Sequence, residues 1–426
     1  MVVNMKIKHW IRIIIYVVSL ALALIFASNL LCVANEKDAL GIYGFFKEPE
    51  DSLDVVLIGP STIYTAFYSP LAYEKQGFTS YSLSSSTMTA SLYKYAAQMA
   101  VEYQHPDLLV FDTWSFCYDA QYDETSLRKF LDACPDSEIK KSAIREIVPE
   151  ELRSSFEHPF QKYHSAWTRL GECIQVLRDK IEINRQGYSI TKNYATTPDI
   201  VENRRRGNKH KDGDYHISEA GFEQLHKLLD YLKTSGVENV LFIRTPEMLF
   251  YEPDDTYKQM VDTIREAGFD FVNLNSAVED MHVNFDKDFY NTTHFNVFGT
   301  EKFTEFLSDY IMNRYGINTQ HDEQIRNEWD LCASCDEHVL GRLKELTEQR
   351  TGGFLYTQGD LLADGDRGRF SVSGMSDQKR ETGGDREPSP VSTSDQKQET
   401  RGDREPSPVS PCLLINERKA AWQKLI

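Results

Sequence analysis

The chain has no surplus of positive charge: 47 Lys and Arg face 65 Asp and Glu over 426 residues, a formal net charge of -18. A surface of that sign does not collect phosphates, which argues against nucleic acid as a partner and leaves a small neutral or cationic ligand easier to hold. Cysteine is sparse as well. Seven, at wide spacings, do not make a disulfide framework for a chain of this length. Cys332, Cys335 and His338 have the spacing of three metal ligands, but no second pair supplies a fourth, and the cysteines of such a pair are equally at home oxidised or free. Neither a metal nor an organic cofactor is therefore expected. A mean hydropathy of -0.48 shows that part of the chain lacks what a core needs, although 41% hydrophobic and 12% aromatic residues suffice for one large domain.

Charge is missing altogether from Ile13 to Val33, a run long enough to span a bilayer, for which about 20 apolar residues suffice. Lys6, Lys8 and Arg12 precede it, so the N-terminus is expected in the cytoplasm and everything after the run outside, with Trp10 suited to the interface. The run reads as an uncleaved anchor. Its rival is a signal peptide cut after Cys32-Val33-Ala34, which has small residues at the right spacing but follows an apolar stretch longer than a usual signal core. Lipidation of Cys32 is disfavoured, because Asn29-Leu30-Leu31 lacks the small residues such a site needs. At the other end, Ser376–Thr393 and Ser394–Pro411 are two copies of one polar unit, differing at three positions. Nothing in them builds a core, so residues 351–426 are expected to be a disordered tail, within which Arg401-Gly402-Asp403 reads as chance rather than as an adhesion motif.

Between the ends, apolar runs alternate with helical spacing. Asp54–Gly59, Ser80–Ser84, Leu108–Thr113, Asn239–Thr245 and Phe269–Leu274 read as strands. Several are apolar at successive positions, as strands covered on both faces must be. Ser91–Tyr103, Glu219–Ser235 and Thr256–Ala267 read as helices, with Gly236 and Gly268 as stops. The pattern predicts a three-layer α/β/α domain over residues 36–320 with a five-stranded parallel sheet, followed by a helical extension over 321–350. Residues 115–208 form an insertion whose aromatic stretch Pro159–Trp167 either overhangs the sheet rim or packs onto the core.

In such a sheet, ligand-handling groups gather beyond the carboxyl ends of the strands, which points to Gly59-Pro60-Ser61, Ser84-Ser85-Ser86 and Asp112-Thr113-Trp114. A serine hydroxyl is a poor nucleophile unless a base lies within hydrogen-bond reach, and His294, late in the chain just before the last helix of this domain, is the candidate. The bland readings are a Ser61 that caps the following helix and a His294 that bonds backbone at a helix start. His216, in Tyr215-His216-Ile217-Ser218, has a similar cadence but precedes the fourth strand, and is held in reserve. Asn291-Thr292-Thr293 also fits a glycosylation acceptor, a weak signal.

Three blocks, Asp54–Tyr64, Ser80–Ser86 and Phe289–Gly299, resemble the SGNH (GDSL-like) hydrolase superfamily, over roughly Leu53 to Tyr315. They also look like the membrane-anchored branch found in Gram-positive bacteria, which includes proteins related to D-alanine transfer onto teichoic acids. The resemblance implies a flavodoxin-like fold, Ser61 as nucleophile and His294 as base. It also implies an oxyanion hole from the Ser61 amide, the position of Ser84 and the block after the third strand, where Thr113 offers a hydroxyl. Where the family has an acid three residues before the histidine this chain has Asn291, leaving Asp288 or Asp286 to supply charge. Pro60 stands where Asp or Ser is usual, Ser84 where glycine is, and Asp112-Thr113-Trp114 where asparagine is. Two functions follow. One is an extracytoplasmic esterase or acyl transferase acting on a cell-envelope glycan or lipid-linked polymer. The other is a catalytically impaired binding or scaffolding protein of envelope assembly.

Overall fold

The structure is a computed structural model that describes residues 2–31, 36–118, 121–163, 168, 170–201, 216–248 and 254–350. The repeat tail, Cys32, Tyr215 and the whole of the His164–Trp167 stretch lie outside the described residues. Helix α1 (Val2–Leu31) contains the apolar segment His9–Ala27, 19 residues long, with none of it buried, and long and apolar enough to cross a membrane. Helix α2 (Glu36–Phe45) follows.

The five apolar runs form five parallel strands, β1 (Val55–Gly59), β2 (Ser80–Ser84), β3 (Leu108–Asp112), β4 (Asn239–Arg244) and β5 (Asp270–Asn273), in the order β2-β1-β3-β4-β5. Side chains of a strand point alternately to its two faces, and two separate cores result. Val56, Ile58, Leu109, Phe111, Val240 and Phe242 enter one, while Val55, Leu57, Leu108, Val110, Leu241 and Ile243 enter the other. The second core is closed by α3 (Ser61–Ala66), α4 (Ser69–Gln76) and, later in the chain, α13 (Val297–Tyr315). The first is closed by α5 (Tyr93–Gln104), α6 (Glu124–Leu131), α7 (Glu138–Ile147), α8 (Glu150–Glu157), α11 (Glu219–Leu232) and α12 (Asp255–Glu266). Helices α9 (Phe160–Tyr163) and α10 (Leu170–Gln186) stand apart from both, α10 packing on α2 through Cys173, Val176, Ile183, Leu40 and Tyr43. The described part of the insertion thus packs down beside the domain: Phe156 is buried under the Arg128 guanidinium, 3.9 Å from its ring centre.

Helices α14 (Glu323–Ser334) and α15 (Asp336–Glu348) complete the described chain. Trp329 of α14 is fully buried over Lys192, whose ammonium lies 2.6 Å from Glu48 and 3.0 Å from Glu328. Cys335 is disulfide-bonded, so it is not available as a thiolate ligand, and no cluster of three ligands is found among the described residues.

Candidate functional site

Because all five strands run the same way, their carboxyl ends share one edge, and the strand order reverses there between β1 and β3. Ser61 leaves the sheet at that point. Glycine is required at 59, since a Cβ would come within 2.7 Å of Ile63 Cγ1 and 3.0 Å of Asp112 Cβ. The cap of α3 falls on Pro60, which contributes no side-chain bond. The Ser61 hydroxyl is therefore not a helix cap; it lies 2.7 Å from His294 Nε2, and both residues are half-buried.

His294 is held by a closed turn. Phe289 and Phe295 form an antiparallel bridge, the Tyr290 N–H donates to the His294 carbonyl at 3.2 Å, and the Tyr290 ring stacks on the imidazole at 5.4 Å. Inside the turn, Asn291 Oδ1 accepts the N–H groups of Thr293 at 3.0 Å and His294 at 2.9 Å, and lies 2.9 Å from His294 Nδ1. Two backbone donors fix which end of the amide is oxygen, and an amide oxygen only accepts. With that oxygen as partner, Nδ1, which also lies 2.8 Å from the Thr293 hydroxyl, is the nitrogen suited to carry the ring proton, and Nε2 then turns its lone pair to Ser61 Oγ. Gly299 holds this turn close to α13: a Cβ there would lie 2.5 Å from the Asp288 carbonyl oxygen.

The other expected acid does not reach the ring. Asp288 is buried, its Oδ2 taking the Asn284 N–H at 2.7 Å and the Lys302 ammonium at 2.7 Å, because its neighbours in the turn direct it away from the imidazole. Asp286 lies exposed on the surface. Of these three, Asn291 bonds the imidazole. Thr113 also departs from expectation: its hydroxyl donates to the Ile243 carbonyl at 3.1 Å inside the sheet and does not face the rim. Ser84 ends β2 opposite Gly59, buried, with its hydroxyl turned back to Ser82 O at 3.4 Å. Of the expected oxyanion donors, neither the Ser84 nor the Thr113 hydroxyl turns to the rim, which leaves that expectation to main-chain N–H groups. Asp112, at the end of β3, accepts from Thr62 Oγ1 at 2.5 Å, Thr245 Oγ1 at 2.9 Å and Trp114 N at 3.0 Å, tying β3 to α3 and to the residue after β4. Burial pushes its carboxyl above the usual carboxylate range, against the pull of Arg244 and these donors. His216 is exposed, bonded to Asp254 at 2.9 Å, two residues before the Ser218 cap of α11.

Three further parts of the site were not expected. Tyr64, one turn after Ser61 and almost wholly buried, places its hydroxyl against those of Ser61 and Ser86. Burial, followed by the charge of Asp38, holds its phenol well above its ordinary range, so it stays protonated. Asp38 of α2 accepts both the N–H of Ser86 at 2.8 Å and its hydroxyl at 2.7 Å. The i, i+3 spacing of Ser61 and Tyr64 was a usable signal, whereas nothing local marks Asp38. The third is the stretch 190–201. Asn193 donates to the carbonyls of Ser82 at 2.6 Å and Ser84 at 2.9 Å, Ala195 N–H to Tyr64 O at 3.2 Å, Thr196 Oγ1 to Phe295 O at 2.9 Å, and Val201 N–H to Phe289 O at 2.9 Å. One polar segment thereby fixes the β2 rim, the serine helix and the histidine turn to each other.

Compared with known proteins, the chain matches no family, no curated protein and no solved structure.

Proposed function

We propose that the protein is a membrane-anchored, extracytoplasmic serine esterase or acyl transferase of SGNH type, acting on an ester of a cell-envelope glycan or lipid-linked polymer. The observation that carries this reading is the 2.7 Å contact of Ser61 Oγ with a His294 Nε2 whose tautomer Asn291 sets, at the switch point of a sheet ordered as in flavodoxin-like folds. In this reading Ser61 Oγ attacks the ester carbonyl while its proton passes to His294 Nε2. The tetrahedral oxyanion is met by the Ser61 and Ser84 N–H groups, then collapses, and the departing alcohol takes the proton back from His294. Water or an acceptor hydroxyl, deprotonated by His294, resolves the acyl-serine and restores the site.

A second reading, a binding or scaffolding module with this fold and little turnover, is favoured by the diversion of the Thr113 hydroxyl and by the absence of charge on Asn291. A serine-directed fluorophosphonate separates the two. It is applied to the full chain in detergent, because a fragment cut at residue 320 would lose the Glu328 and Trp329 that close over Lys192. Labelling of the wild type, lost in Ser61→Ala and His294→Ala, supports the enzyme. Loss of one hydrogen bond predicts that Ser61→Ala lowers stability by only about 1 kcal/mol. A folded wild-type chain that takes no label supports the binder.

A further inference from the structure

Among the described residues, four large apolar side chains outside α1 are strongly exposed: Tyr122, Leu170, Ile174 and Ile181. Three of them belong to α10. At 3.6 residues per turn Leu170, Ile174 and Ile181, with the half-buried Leu177, fall within an arc of roughly 60°. Their exposures of 44%, 38% and 56% leave this face largely open to solvent. The same helix buries a different face, Cys173, Val176 and Ile183, against Leu40 and Tyr43 of α2. Core packing therefore accounts for one apolar face of α10 and leaves the other unexplained. Over α10 three acidic and three basic residues cancel, in a chain whose total is -18, so this helix meets no general repulsion from an anionic surface.

The occupant follows from what α10 adjoins. Helix α1, which carries the exposed apolar segment, packs against α9 and α10. Four residues lie between Leu31 and Glu36, so over five Cα steps α2 begins no more than about 18 Å from the end of α1. Resting on the reading of α1 as a membrane span, we propose that α10 lies in the membrane interface with its Leu170, Ile174, Leu177 and Ile181 stripe among the lipid tails, as a second contact that fixes the orientation of the domain. One edge of α2 then reaches the lipid-contacting helix while its Asp38 reaches Ser86 at the catalytic rim.

The test places the photoreactive residue p-benzoylphenylalanine at position 170, 174 or 181, and at the exposed control Gln259 of α12, in the full chain reconstituted into phosphatidylcholine and phosphatidylglycerol vesicles. Retention in the vesicle pellet after alkaline carbonate shows whether α1 spans. With the chain retained, lipid adducts several-fold more abundant at the three stripe positions than at 259 are expected. Equal yields at all four positions overturn the proposal and leave the anchor intact. Crosslinks from the stripe to α1 or to a second copy of the chain assign the face to those occupants and overturn it too. Release of the chain by carbonate removes the anchor reading and this inference with it.

Discussion

Asn291→Asp is the sharpest probe of the histidine turn. The carboxylate keeps the acceptor that takes the Thr293 and His294 N–H groups, so the turn should survive, and it places a charge where an amide oxygen now lies 2.9 Å from Nδ1. In the proposed mechanism the resting imidazole is the neutral base and gains little. In the transition state it holds the Ser61 proton and is cationic. At about 4 Å between charge centres and an effective dielectric near 20 the attraction is about 4 kcal/mol. Both residues are half-exposed, so solvent screening reduces it to about 2 kcal/mol. That corresponds to a rate gain of about thirtyfold. The assay is the second-order rate of fluorophosphonate labelling, with circular dichroism to confirm the fold. A folded Asn291→Asp chain that labels no faster than wild type would refute the argument that His294 becomes imidazolium against this side chain. Asn291→Leu, which removes the oxygen, should label far more slowly.

Lys192→Met should cost about 3–5 kcal/mol in denaturant unfolding, because it leaves Glu48 and Glu328 buried together without their cation. Asp336 gives a pH-dependent test: burial pushes its carboxyl from 3.8 up to about 8, with the Glu74 charge adding to the rise. Its protonated form is the one the fold prefers, so its favourable contribution is complete below about pH 4 and is lost as pH rises through about 8. Asp336→Asn cannot ionise, and its melting temperature should exceed that of wild type most at pH 8 and above, with the advantage gone near pH 4. Asp38→Asn keeps the shape of α2 but has a single acceptor oxygen for the two donors of Ser86. Labelling of Ser61 should fall about tenfold, within the range of up to about 10²-fold that misplacing a catalytic group can cost. Unchanged labelling would make the contact of Asp38 with Ser86 purely structural.

The sheet was legible because its strands are apolar at consecutive positions. Val55–Ile58, Leu108–Phe111 and Val240–Ile243 cannot serve a one-sided helix or a half-exposed strand, and the observed boundaries fall within about one residue of those read from the pattern. Gly236 and Gly268 follow helices at φ +80 and +91, the left-handed backbone that their residue type suggested. Side-chain direction was not legible. Thr113 and Asp288 are near the rim in sequence, yet one turns into the sheet and the other toward Lys302, a choice made by partners 130 and 14 residues away. The stretch 190–201 was invisible for the opposite reason. It has no periodicity and several polar residues, the look of a surface loop, while Lys192, Asn193 and Thr196 are buried because every one of them finds a distant partner.

That stretch also bears on how the two readings of the site differ physically. A pocket that merely binds needs shape, and a serine beside a histidine in either tautomer would supply it. Here the amide of Asn291, pinned by two backbone donors, favours the tautomer of His294 protonated on Nδ1, and the lone pair so exposed is the one that faces Ser61. Around Ser61, the Tyr64 hydroxyl and the Asp38–Ser86 contact hold the neighbouring positions, and Ala195 anchors the serine helix from the far side. Holding a proton acceptor to one geometry matters when a proton is to move. The donors for negative charge are less complete, since Ser84 and Thr113 turn their hydroxyls elsewhere. A site preorganised on the proton side and thin on the oxyanion side should acylate slowly and favour esters over amides, because an alkoxide leaves with less protonation than an amine does. Comparing acylation by matched p-nitrophenyl ester and anilide substrates measures this directly, and equal rates would contradict it.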